Sequence, residues 1–197
     1  MTAPRIVLAS TSPYRRQLME KLRLPFDTAA PDCNEEAGPG ESPAALVERL
    51  AASKARSVAL DLDDAALVVG SDQVAELDGR VLTKPGDHAR AAEQLRACSG
   101  RTVVFHTGLA LVDARRDPAA ARVERVVYRV TFRALATGEI ERYLAAEAPY
   151  DCAGSIRSEG YAVTLFEALE GPDPNALVGL PLIRLAAMLR EAGLALP

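Results

Sequence analysis

The seven residues Ser10-Thr11-Ser12-Pro13-Tyr14-Arg15-Arg16 carry the densest chemistry in the chain. Ser12-Pro13 reads as a helix N-cap followed by proline at the first helical position. That start puts Arg15 and Arg16 in the first turn, where the positive end of the helix dipole disfavours cations by ~0.3–1 kcal/mol each. An anion between the guanidiniums and the open backbone N–H groups removes the penalty, so hydroxyls, amides and paired arginines at a strand-to-helix turn make a phosphate pocket. The bland alternative is two solvated arginines on a surface helix.

Two further residues stand out. In the segment after Ser42-Pro43, Val47, Leu50, Ala51 and Val58 form an apolar stripe, and Lys54 lies on it four residues after Leu50. Such a lysine either meets a buried partner or snorkels its stem to the surface. Asp72 follows the apolar run Ala65 to Val69 and Gly70-Ser71. This places it just past the C-terminal end of a strand, where open α/β sheets hold ligands. There it can bind a divalent cation, take a proton from water, or simply satisfy a turn. Glu35 and Glu36 add carboxylates, and Lys84-Pro85-Gly86 presents another cation on a turn.

The elements that must position these groups alternate between strand and helix. Strands are expected over 5–9, 65–69, 102–112, 123–133 and 160–166, and helices over 13–22, 43–60, 88–98, 137–148 and 181–192. Asp87 is the expected cap of the third helix and Ser99-Gly100 its stop. Tyr128, Val130 and Phe132 alternate with Arg129, Thr131 and Arg133, the period of a half-buried antiparallel strand. Pro31 to Pro43 is the longest irregular stretch. The expected class is mixed α/β.

Composition narrows the function. The chain has 197 residues, 49% hydrophobic and 25% charged, with a net charge of -4, which excludes intrinsic disorder. One domain, two-lobed or not, suits this length. The acidic balance argues against a general nucleic-acid binder. No apolar run approaches the ~20 residues of a membrane span, and the run Ile6 to Ala9 is too brief for a signal-peptide core, so a cytoplasmic protein is expected. Cys33, Cys98 and Cys152 are scattered and read as core hydrophobes; with only His88 and His106 beside them, a zinc site is not expected. There is no Gly-x-Ser-x-Gly elbow, Walker A loop or Gly-x-Gly-x-x-Gly. What survives is a phosphate-handling α/β protein that uses Arg, Lys and carboxylates without a covalent nucleophile.

The series Leu8 to Arg16, Glu35, Lys54-Ala55, Gly70-Ser71-Asp72-Gln73-Val74, Lys84-Pro85, Ser99-Gly100, Thr107-Gly108, Gly154-Ser155, Ser158-Glu159-Gly160, Gly171 to Asn175 and Val178 to Pro181 resembles the Maf family of nucleoside triphosphate pyrophosphatases. The resemblance spans nearly the whole chain in order. It implies an elongated mixed sheet flanked by helices with a deep cleft between two lobes, of Maf/ITPase-like type, in one domain over residues 1–197. It also implies hydrolysis between the α and β phosphates, a divalent cation (Mg or Mn), a small-molecule nucleotide substrate and a homodimer, with neither nucleic acid nor membrane as partner.

By the same resemblance Asp72 is the proton acceptor, Ser12, Arg15, Arg16, Lys54 and Lys84 contact phosphate, and Glu35 joins Asp72 at the metal. Tyr14, Gln73 and Glu159 resemble the 7-methyl-GTP branch rather than the dTTP/UTP branch. A carboxylate such as Glu159 suits the two adjacent donors of a guanine edge, and an aromatic face such as Tyr14 attracts a methylated, cationic base. Tyr14 replaces the branch's more usual Trp, Asn34 an Asp, and Thr83 a Gly. The resemblance thus points to a housecleaning enzyme that keeps modified nucleotides out of nucleic acids. The alternatives are another triphosphate substrate or a non-catalytic regulator of septum formation.

Overall fold

The computed structural model describes residues 4–62 and 65–197. In chain order the elements are β1 (Arg5–Ala9), α1 (Pro13–Glu20), β2 (Asp27–Ala29), α2 (Pro43–Asp61), β3 (Ala66–Leu77), β4 (Arg80–Leu82), α3 (His88–Cys98), β5 (Thr102–Asp113), β6 (Ala121–Phe132), α4 (Thr137–Glu147), β7 (Phe166–Glu170) and α5 (Leu182–Glu191), with 3-10 turns at Ala153–Ser155, Tyr161–Leu165 and Pro174–Val178. The strands form a mixed seven-stranded sheet in the order β2-β1-β3-β5-β6-β7, with β4 paired to β3. β1 runs parallel to β2 and β3, whereas β3–β4 and β6–β7 are antiparallel. Among the described residues no helix is long and apolar enough to cross a membrane.

The chain divides into two compact units. The first comprises residues up to Gln73, Thr107–Val126 and Asp173–Pro197; the second comprises Val74–His106 and Val127–Pro172.

In the first unit, strand alternation builds a core on each sheet face. Val7, Ala9, Ala66, Val68, Ala110 and Val112 meet Ala51, Ala55 and Val58 of α2. Ile6, Leu8, Leu67, Val69, Leu109 and Leu111 meet Leu18 and Met19 of α1 and Leu182, Leu185 and Leu189 of α5. The α2 face is lined by small residues, and two positions lack a side chain altogether. A Cβ on Gly108 would strike the Val47 carbonyl, and one on Gly70 would strike the Ala51 carbonyl and come within 2.8 Å of the Ala55 nitrogen. Helix α2 therefore lies directly on the strand backbone.

In the second unit α3 packs on α4 and on the 153–155 turn. Phe105, Leu95, Ile140, Leu144 and Leu165 are buried there, and Phe132 and Phe166 meet edge-to-face at 5.4 Å. Burial pushes the Tyr143 phenol up, while its oxygen accepts from the Arg157 amide at 3.1 Å.

Three expectations are corrected. The strand expected to stop before Gly70 runs twelve residues, so Asp72 sits inside it rather than past its end. The Gly70 backbone fits under α2, the Ser71 hydroxyl finds carbonyl partners, and buried Val74, Ala75 and Leu77 continue the strand. Residues 161–165 form a 3-10 turn and the strand starts only at Phe166. Of the cysteines, only Cys98 is a core residue; Cys33 and Cys152 are half-exposed. The alternation of Tyr128, Val130 and Phe132, each buried, is as expected.

Candidate active site

In the first unit α2 and β3 set the central pair. Gly70 and Asp72 share one face of β3, the face on which α2 rests, so Lys54, one turn on from Leu50, reaches the carboxylate two residues beyond the helix–strand contact. Lys54 Nζ donates to Asp72 Oδ1 at 2.7 Å, with the residues only 5% and 8% exposed. The sequence left a partnered or a snorkelling lysine open; the ammonium is partnered. It also lies 3.0 Å from Glu35 Oε1, a carboxylate that is 61% exposed.

Glu35 belongs to the irregular segment before α2, and Arg49 of α2 ties that segment down. Its Nη2 donates to the Glu36 carbonyl at 2.8 Å, and its Nε and Nη2 bind the Glu41 carboxylate at 2.7 and 2.8 Å. The Arg49 hydrogen bonds hold the Glu41 carboxyl down at about 2. The Cys33 thiol, two residues before Glu35, is pushed up by burial, with the Lys54 charge opposing the shift.

Arg15 joins this group. Ser12 caps α1 as expected, its Oγ accepting from the Arg15 amide at 3.4 Å. The half-buried Arg15 guanidinium donates from Nε to the Gly179 carbonyl at 3.0 Å, and its Nη groups make no hydrogen bond among the described residues. Burial lowers its pKa, while the charges of Asp72 and Glu35 raise it. Four N–H donors on a desolvated cation, beside a capped helix start, form a site for an anion.

Arg16 is not brought into this group. It is exposed, and its Nε lies 3.5 Å from Glu20 Oε1 one turn along α1. Tyr14 is half-buried in the first turn of α1. The Gln73 amide nitrogen is committed to protein acceptors, the Ala176 carbonyl at 2.6 Å, the Leu177 carbonyl at 3.1 Å and Thr107 Oγ1 at 3.1 Å. Lys84 and Glu159 belong to the second unit. Lys84 is exposed in the loop after β4, and the exposed Glu159 accepts from the Ser158 hydroxyl at 3.1 Å.

Sequence reasoning gave no role to Ser71, Thr107 or Gly179: the Ser71 hydroxyl and Arg15 Nε meet at the Gly179 carbonyl, and Thr107 Oγ1 donates to the Ala176 carbonyl at 2.8 Å. The visible signal was a serine between a glycine and an aspartate directly after an apolar run.

As a whole, the first unit presents a buried carboxylate–ammonium pair, an adjoining exposed carboxylate and an arginine fork. The two carboxylates converge on the Lys54 ammonium through Oδ1 and Oε1, and each has a second oxygen that could serve a metal ion. No third Asp, Glu, His or Cys completes a cluster with them among the described residues. A set of two carboxylates suits Mg²⁺-type binding, in which phosphate and water oxygens supply the remaining ligands.

Comparison with known proteins gives the same family as these motifs. The Maf-like protein family matches residues 5–192. A 7-methyl-GTP pyrophosphatase of Polaromonas sp. is 53% identical over 99% of this chain and 88% of its own length. A 7-methyl-GTP pyrophosphatase of Xanthomonas oryzae pv. oryzae is 54% identical over 98% of this chain and 100% of its own. Among solved structures, a nucleoside-triphosphatase, dITP/XTP pyrophosphatase, of Mycobacterium abscessus aligns over 94% of this chain and 93% of its own, with 17% identity and a TM-score of 0.45, too loose a likeness to bear on the site. On the match over residues 5–192 and relatives more than half identical along nearly its full length, the chain belongs to the Maf family.

Proposed function

We propose that the protein is a nucleoside triphosphate pyrophosphatase that hydrolyses 7-methyl-GTP to 7-methyl-GMP and diphosphate. The observation that carries the reading is the buried Asp72–Lys54 pair at 2.7 Å, with Glu35 on the same ammonium and the Arg15 fork beside it. The relatives' shared name supports the choice of base.

A triphosphate carries about four negative charges, and attack at phosphorus needs them neutralised and the diphosphate leaving group stabilised. Arg15 binds phosphate oxygens through its Nη groups. Lys54 fixes the Asp72 carboxylate and adds positive charge beside the reacting phosphate. Asp72 accepts the proton of the attacking water as the new P–O bond forms and the α–β bridge breaks, a role worth about 10²–10⁴ in rate. Asp72 and Glu35 would hold a divalent cation, Mg²⁺ or Mn²⁺, which neutralises phosphate charge when bound. The phosphate roles of Ser12, Arg16 and Lys84, and the base-reading roles of Tyr14, Gln73 and Glu159, rest on the family motifs.

The test is diphosphate release from 7-methyl-GTP, GTP, UTP and dTTP with Mg²⁺ or Mn²⁺, using wild type and Asp72→Asn. Preferential cleavage of 7-methyl-GTP, lost in Asp72→Asn, is expected. Equal turnover of UTP overturns the choice of base, and an active Asp72→Asn overturns the proton-acceptor role.

A further inference from the structure

Ser71 of β3 and Arg15 of α1 come from different elements, yet both donate to one carbonyl, that of Gly179. Ser71, immediately before Asp72, points to the opposite face of β3 and is fully buried. Its Oγ lies 2.9 Å from the Gly179 carbonyl and 2.7 Å from the Gly108 carbonyl. A hydroxyl has one proton, so these two carbonyls share it in a three-centre bond. The Gly179 oxygen also accepts from Arg15 Nε at 3.0 Å.

Gly179 closes the 174–178 turn at φ 111°, in the left-handed region, with its amide on the Asn175 and Ala176 carbonyls. That conformation aims the carbonyl, and glycine adopts it without strain. Anchored by this one bond, the guanidinium keeps both Nη groups for a ligand.

We propose that Ser71 and the Gly179 carbonyl are the positioning groups for Arg15, setting the orientation of its fork toward the phosphate chain. Neither touches the reacting atoms; both act through Arg15. The proposal rests on the phosphate-binding role assigned to Arg15 in the pyrophosphatase reading, and it can be measured without turnover.

The probe is inorganic tripolyphosphate, titrated calorimetrically in magnesium buffer into wild type, Ser71→Ala, Arg15→Gln and the double variant. In the wild-type background Ser71→Ala is expected to weaken binding on the order of 3- to 10-fold, about the worth of one neutral hydrogen bond. In the Arg15→Gln background the same substitution is expected to change nothing beyond about 2-fold, because residues that act through one another are non-additive. A merely structural serine weakens binding equally in both backgrounds, and that result overturns the proposal. So does a Ser71→Ala that binds like wild type, or a wild type that binds no tripolyphosphate.

Should Ser71→Ala fail to fold by circular dichroism, Gly179→Ala enters the same cycle with the same criteria. Its Cβ strains the left-handed position while meeting Arg15 Nε only at an ordinary 3.5 Å. The two readings fail separately. A coupled cycle with no diphosphate released from any nucleotide removes the enzyme assignment and keeps the positioning. An active enzyme with an additive cycle does the reverse.

Discussion

Replacing Lys54 by methionine separates charge from packing at the site. Methionine keeps the length and apolar character of the lysine stem, so the loss reads mainly the ammonium. In the wild type that ammonium sits 2.7 Å from Asp72, with side-chain exposures of only 6% and 11%. Its second partner, Glu35, is 61% exposed and screened by water, which limits that pair to about 0–1 kcal/mol.

The loss therefore comes from leaving the Asp72 carboxylate buried without its cation, about 3–5 kcal/mol. At ~2–4 °C per kcal/mol for a chain of this size, Lys54→Met should melt roughly 6–20 °C below wild type. Adding Asp72→Asn removes the stranded charge and leaves a neutral amide with incomplete hydrogen bonding, so the double variant should return to within about 1–3 kcal/mol of wild type. Urea unfolding of the four proteins measures this directly. A Lys54→Met within about 1 kcal/mol of wild type, or a double variant equal to the sum of the singles, refutes the reasoning, since either means that water already screens the pair.

Other outcomes follow from the same geometry. Gly70→Ala pushes a methyl into the Ala51 carbonyl and the Ala55 amide; because helix backbone cannot rotate away, the urea-measured loss should reach about 3 kcal/mol or more, at or above the usual range for overpacking. Arginine partners hold Glu41 (down to about 2), Asp113, Glu124 and Glu139 below the ordinary carboxylate range, so the unfolded chain binds more protons than the folded one on acidification. Their stabilisation is fully present above the unfolded carboxylate values of ~4 and is lost as pH falls through the lowered folded values, about 2 for Glu41. Urea midpoints should drop steadily across that window, and Arg184→Met, which removes the larger of the two arginine partners of Glu124 and leaves Arg122, should make the drop shallower. Burial pushes the Cys98 thiol up to about 12, so a thiol reagent at pH 8 should label half-exposed Cys152 in the native protein and Cys98 only after unfolding; native labelling of Cys98 by mass spectrometry contradicts this.

Much of the architecture was legible because local signals agreed with the tertiary outcome. Ser42-Pro43 and Ser12-Pro13 start helices as expected, and each serine accepts the hydrogen bond of a cap. Lys54 was conspicuous because it breaks an apolar stripe, and its partner is the aspartate singled out separately. At Gly70-Ser71 and at the arginine pair, non-local contacts overrode local punctuation. Gly70-Ser71 looks like the end of a strand, yet the glycine is there to admit α2 and the serine to bind two distant carbonyls. Arg15 and Arg16 are equivalent in sequence. Only the Gly179 carbonyl, 164 residues away, draws the first inward, while the second finds Glu20 on its own helix. No spacing rule reports an acceptor at that separation.

The carboxylate at position 72 lies in the interior of a twelve-residue strand, whereas Glu35 lies on irregular chain tied down largely by Arg49. Amides in such a strand open only at a cost near that of global unfolding, while irregular segments fray cheaply. Heating should therefore disable the molecule in two stages, disconnecting the peripheral acid first and sparing the internal one until the whole framework melts. Hydrogen exchange would then record slow exchange around Asp72 beside fast exchange around Glu35.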